Sequence, residues 1–90
     1  MPLPRDEVER RLPEGWAFDG ECLRRTFSFA TYRDGVAFAV KAALLAEEMH
    51  HHPDLTIGYR TVTVLLTTHS EGGVTEKDLT MAEKIGSLSP

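Results

Sequence analysis

The stretch Thr31–Pro53, TYRDGVAFAVKAALLAEEMHHHP, decides how the rest of the 90-residue chain is read. Thr31 and Asp34 stand three apart, the spacing of a capping arrangement at a helix start. From Tyr32 to about His50 the apolar residues recur at helical spacing, and Pro53, which has no amide proton, cannot extend the run. Val36, Val40, Ala43 and Leu44 fall with Glu47 along one stripe, and Phe38, Ala42, Leu45 and Met49 along a second. That is more apolar surface than a helix half-exposed on a two-layer domain needs. Either one wide stripe faces the core of a single subunit, or part of it faces another copy of the chain.

Patterned segments flank this helix on both sides. Upstream, Pro4 to Leu12 has early acids, late arginines, and Val8 and Leu12 four apart, which suits a short helix and its dipole. Pro13 and Gly15 stop it. Trp16–Phe18 and Cys22–Phe29 flank Asp19-Gly20, a dipeptide that takes the positive φ angles of a tight hairpin, and Leu23, Arg25, Phe27 and Phe29 alternate with more polar neighbours. Downstream, Tyr59–His69 reads as a strand with Val62, Val64 and Leu66 on one face and Thr61, Thr63, Thr67 and His69 on the other. Asp54–Ile57 suits a strand or a connector. Gly72-Gly73 makes a turn, and Thr75 with Asp78 repeats the capping spacing before a last helix containing Leu79, Ala82 and Ile85. The expected fold is a single α+β domain over residues 1–90. Its antiparallel sheet has about four strands with helices packed on one face, in the order α-β-β-α-β-β-α.

Composition narrows the function. With 41% apolar residues the chain buries a core, though one this small has little stability in reserve, and self-association would add some. The formal charge of −4 argues against a phosphate-backbone binder, so no direct nucleic-acid partner is expected. The single cysteine, Cys22, has no partner within the chain for a disulfide, and no apolar run approaches membrane-spanning or secretion-signal length. No membrane association and a cytoplasmic location are the expectation.

The chemistry concentrates in Glu47-Glu48-Met49-His50-His51-His52-Pro53. Imidazole titrates near neutral pH, so a cluster of it at a helix terminus suits proton transfer. Glu47 and His51 are four apart and would share a helix face, where the carboxylate can orient the ring or raise its basicity. Pro53 drives His52 out of the helical region and so aims its ring differently. The plainer alternative is that these histidines merely interact with the dipole at the helix end. A metal site is the other rival, with Glu47, His50 and His69 as conceivable ligands. Adjacent histidines point apart, however, and chelate one ion poorly, so no metal is expected. Asp78 reads as a helix cap, and Trp16 as a core residue or the wall of a pocket for a flat ligand.

The run Glu47-x3-His51-His52-Pro53-x5-Tyr59-x9-His69-x8-Asp78 resembles the signature of the pterin-4a-carbinolamine dehydratases, a family that also includes dimerisation cofactors of a homeodomain transcription factor. The similarity continues through Phe27-x-Phe29, Phe38, Ala46-Glu47, Thr67-Thr68-His69 and Gly72-Gly73-Val74-Thr75, with Trp16 before the hairpin. It implies loss of water from 4a-hydroxytetrahydropterin, with no metal or redox cofactor. It also implies His51, His52 and His69 as active-site histidines, with His51 and His69 as the acid and base pair, and Glu47 as the active-site carboxylate. His52, Pro53 and Trp16 would border the substrate, and His50 has no fixed counterpart. The implied partners are a small pterin and further copies of the chain, as a dimer or tetramer. Leu55 and Ile57 stand where many relatives carry tryptophan and asparagine. An interaction module, or a relative acting on another pterin such as one in molybdenum cofactor metabolism, are the competing readings.

Overall fold

The structure, a computed structural model, describes residues 1–88. Its elements are α1 (Arg5–Arg10), β1 (Ala17–Phe18), β2 (Leu23–Ser28), α2 (Tyr32–Met49), β3 (Asp54–Ile57), β4 (Thr61–Leu66), a 3-10 turn (His69–Glu71) and α3 (Glu76–Leu88). The strands form one sheet in the order β1-β2-β4-β3, antiparallel throughout. This is the α+β architecture that the alternation of patterns requires.

Register explains which face is covered. Leu23 pairs with Leu66, Arg25 with Val64 and Phe27 with Val62, and because side chains alternate along a strand these six share one face. Leu23, Val62, Val64 and Leu66 are completely buried there, beneath the helices. The other face carries Thr26 opposite Thr63, their hydroxyls 2.9 Å apart. Arg25 remains on the covered face by laying its guanidinium 4.3 Å from the centre of the Phe27 ring and donating to the Glu14 carbonyl at the margin. Phe38 stacks at 4.6 Å on Phe27 and at 5.2 Å on Phe29, tying α2 to β2.

The two stripes on α2 part company. Phe38, Ala39, Ala42 and Ala46 are buried against the sheet, while Val40 is 52% and Leu44 64% exposed. The helix begins as its spacing predicts, with the Thr31 hydroxyl accepting from the Asp34 amide at 3.1 Å. Small residues bring it close to the sheet: a Cβ on Gly35 would lie 3.4 Å from the Phe29 ring and 3.5 Å from Val62.

Two expectations are corrected. The strand read over Tyr59–His69 is only Thr61–Leu66. At its start the Gly58 amide donates to the Thr61 carbonyl and closes a turn that leaves Tyr59 77% exposed. At its end Thr68 and Gly73 exchange backbone hydrogen bonds across a tight loop, so His69 opens the 3-10 turn instead of lying on the strand. Asp54–Ile57, readable as strand or connector, is the edge strand. Leu55 and Ile57 share the covered face through their pairing with Val64 and Val62.

Candidate active site

The pairings of Leu23 with Leu66 and of Asp54 with Leu65 put the starts of β2 and β3 beside the end of β4. The end of α2, the β1–β2 turn and the start of α3 are joined to that same end of the sheet by the hydrogen bonds below.

The exit from α2 sets the histidines. His50 takes a left-handed conformation, with φ of 53° and ψ of 39°, and the His51 amide reaches back to the Ala46 carbonyl at 3.1 Å, the wrapped-over ending of a Schellman-type cap. Beyond that reversal the four-residue helical spacing no longer governs. Glu47 therefore meets His52, not His51: the Glu47 carboxylate lies 2.5 Å from Nε2 of His52. This corrects the pairing expected from helical periodicity. Both side chains are mostly exposed, and the His52 ring holds the Glu47 carboxyl below its ordinary range.

His51 is bound more deeply. Its Nε2 lies 2.5 Å from Oδ1 of Asp78, a carboxylate with no solvent exposure, while the ring itself is 11% exposed. The other oxygen of Asp78 accepts from the Thr68 hydroxyl at 2.7 Å and from the Thr75 amide at 2.9 Å. The Thr68 hydroxyl lies 2.9 Å from that of Thr75, which lies 3.3 Å from the Lys77 amide. Since the carboxylate only accepts, protons run from Thr75 to Thr68 to Asp78, and Nε2 of His51 carries the hydrogen it donates. Three donors are what let a carboxylate remain buried. Nδ1 of His51 makes no hydrogen bond among the described residues.

Asp78 thus does more than cap α3, as the spacing had suggested. It receives the Thr75 amide, while the Thr75 hydroxyl accepts from the Lys77 amide, and it uses its second oxygen to fix a ring 27 residues away in sequence. The signal was the acid three residues after Thr75: a short carboxylate at that position satisfies the cap with one oxygen and leaves the other free.

His69 lies one residue beyond Thr68 and lines a hollow of about 290 Å³ with Glu21, Cys22, Thr67, Gly72 and Gly73. His51 and His52 do not line it; His51 is connected to it through Asp78 and Thr68. The Cys22 thiol is pushed up, first by burial and then by Asp19, Glu21 and Asp54, which keeps it neutral. Pro53 is half-buried at the start of β3. Trp16 stands apart, 5% exposed and edge-on to Phe27 at 6.2 Å, and it lines a different hollow with Arg25, Glu83 and Gly86. Among the described residues no three His, Cys, Asp or Glu side chains are arranged to hold a metal ion, and no helix is long and apolar enough to cross a membrane.

An open antiparallel sheet backed by helices, with two carboxylate-held imidazoles and a third histidine in a hollow at one end, defines an α+β protein built around proton-exchanging groups. The chain belongs to the pterin 4 alpha carbinolamine dehydratase family, whose model matches residues 1–88. It is 49% identical to a Natronomonas pharaonis protein provisionally named pterin-4-alpha-carbinolamine dehydratase, over 97% of this chain and 95% of the other. A Sulfolobus acidocaldarius protein with the same provisional name is 46% identical over 98% of this chain and 99% of its own. The crystal structure of a transcriptional coactivator/pterin dehydratase from Brucella melitensis superposes with a TM-score of 0.92, at 38% identity and full coverage of both chains. A pterin dehydratase-like protein identified as a RuBisCO assembly factor in the alpha-carboxysome superposes at 0.72, at 25% identity over 84% of this chain and 90% of that one.

Proposed function

We propose that this protein dehydrates 4a-hydroxytetrahydrobiopterin, the pterin-4a-carbinolamine, to quinonoid dihydropterin and water, in tetrahydropterin recycling. The bond from carbon 4a to its hydroxyl breaks, a proton joins the departing oxygen, and the proton on ring nitrogen 5 leaves as the new double bond forms. One group gives a proton and another takes one, and no electrons are exchanged. Two imidazoles serve this near neutral pH. His51 and His69 take these roles, and His52 with Glu47 and Pro53 holds the substrate.

The observation that carries the reading is the hold of Asp78 on Nε2 of His51, which leaves Nδ1 as a defined proton-exchanging atom. A ring serving only to complement a helix dipole does not need a buried carboxylate with three donors. We further propose a cytoplasmic homo-oligomer, on the support of the small core and of Val40 and Leu44 exposed on α2.

The test follows the decay of enzymatically generated 4a-carbinolamine. His51→Ala or His69→Ala slows the catalysed decay by about two to four orders of magnitude, the scale of a lost positioned proton donor or acceptor. A ratio near one for both variants refutes the assignment. It would favour an interaction module instead, a role suggested by the coactivator and assembly-factor names of the structural neighbours.

A further inference from the structure

The hollow that holds His69 has a second wall, formed by the β1–β2 turn. Oδ1 of Asp19 accepts from the amides of Glu21 and Cys22, both at 2.8 Å, and the Thr67 hydroxyl donates to the Glu21 carbonyl at 3.1 Å. Gly20 supplies the left-handed step, with φ of 99°. The backbone at Glu21 is therefore fixed from the turn on one side and from the end of β4 on the other.

Its carboxylate is not engaged. Among the described residues the Glu21 side chain makes no hydrogen bond or ion pair, whereas nearby acids are committed: Glu47 to His52, Asp78 to His51, Glu71 to the terminal ammonium and Asp19 to the turn amides. Asp54 is also unpaired but does not line the hollow. The remaining walls contribute a neutral thiol, a threonine and two glycines, and a Cβ on Gly72 would meet nothing within 4 Å. The hollow thus presents one free anion, one imidazole and a rim that is open at Gly72, with no cation.

We propose that Glu21 is a substrate-positioning and specificity residue whose carboxylate accepts the paired N–H groups of a 2-amino-4-oxopyrimidine ring, at N3 and the 2-amino group. This rests on the dehydratase reading above and adds which edge of the pterin is gripped. Two adjacent N–H donors in one plane match the two oxygens of a carboxylate in the way a guanidinium does, giving charge-assisted, bidentate recognition. The reacting atoms, carbon 4a and nitrogen 5, lie toward the other end of the fused rings, so holding the pyrimidine edge at the hairpin turns them toward the histidines. A ring with oxygen in place of the 2-amino group would set an acceptor against the carboxylate and be rejected.

The experiment titrates 7,8-dihydropterin, which has no leaving group at 4a, and its 2-oxo counterpart 7,8-dihydrolumazine into the full chain. It compares wild type with Glu21→Gln and Glu21→Asp, and carbinolamine decay is measured on the same preparations. Wild type prefers the 2-amino compound. Glu21→Gln loses about ten- to a hundredfold in affinity for it, and the preference falls toward one, as expected for losing a charged hydrogen-bond pair. Glu21→Asp retains part of the preference, and in turnover the loss in Glu21→Gln falls mainly on KM, not kcat. A general structural role for Glu21 would weaken both ligands alike and leave the ratio unmoved. If wild type accelerates the decay but Glu21→Gln keeps both affinity and preference, this inference is overturned and the dehydratase reading stands. If wild type neither binds dihydropterin nor accelerates the decay, both fall.

Discussion

Asp78 shows how much a single side chain can organise: one carboxylate closes a helix cap, receives a threonine hydroxyl and fixes an imidazole. Replacing it with asparagine keeps the shape but not the acceptor pattern. Oδ1 can still serve Thr68 and Thr75, so the amide nitrogen faces Nε2 of His51 and forces the ring proton onto Nδ1. Asp78→Asn is expected to lower carbinolamine turnover by at least about a hundredfold. Asp78→Ala, which strands all three donors, is expected to cost about 3 kcal/mol of unfolding free energy in urea. At the exposed pair the effect is one of titration. Glu47 is held low chiefly by its hydrogen bond to His52, so that interaction is present above the ordinary carboxylate pKa and is lost as pH falls through the depressed value. NMR titration of the Glu47 carboxyl should therefore show its midpoint rising toward the ordinary carboxylate range in His52→Ala; an unchanged midpoint would show that the pair does not form in solution.

Among the elements, α2 carries the most information in the fewest residue types. Its sheet-facing side is alanine and glycine with one phenylalanine, so backbone and sheet approach closely. The space over Gly35 accommodates one methyl group in ordinary contact with Phe29 and Val62, and no more. Gly35→Ala should leave stability unchanged or raise it by up to about 1 kcal/mol, through helix propensity. Gly35→Val should lower it by about 1–3 kcal/mol through overpacking. Denaturant midpoints for the two variants should fall on opposite sides of wild type, or that of alanine should coincide with it; two equal losses would contradict the packing described. The β4–α3 connection is the second informative element. A clean alternation reads as one long strand from Tyr59, yet alternation does not record where backbone pairing stops, and the Thr68–Gly73 bridge ends it early.

For the molecule as a whole, the exposed half of α2 is the feature a lone copy does not use. Leu44 is 64% exposed, so Leu44→Glu should change the unfolding free energy at low concentration by less than about 0.5 kcal/mol. If this face joins copies of the chain, the same substitution should lower the sedimentation mass at high concentration. Identical masses for the two proteins would remove this face from any assembly.

The elements themselves were legible in the residues alone, because helical and alternating periodicity, the Asp19-Gly20 turn and the Thr31 and Thr75 caps are local features acting over a few residues. The histidine cluster was legible as chemistry for the same reason. What each histidine touches was not. The left-handed step at His50 breaks the helical spacing, giving Glu47 to His52 and sending His51 to an acid 27 residues away. Which stripe of α2 turns inward, and that Trp16 lines a hollow apart from that of His69, were likewise settled by packing. Periodicity says only that a face is apolar; which face is covered, and which carboxylate reaches which ring, depends on contacts between distant segments that exist only once the chain has folded.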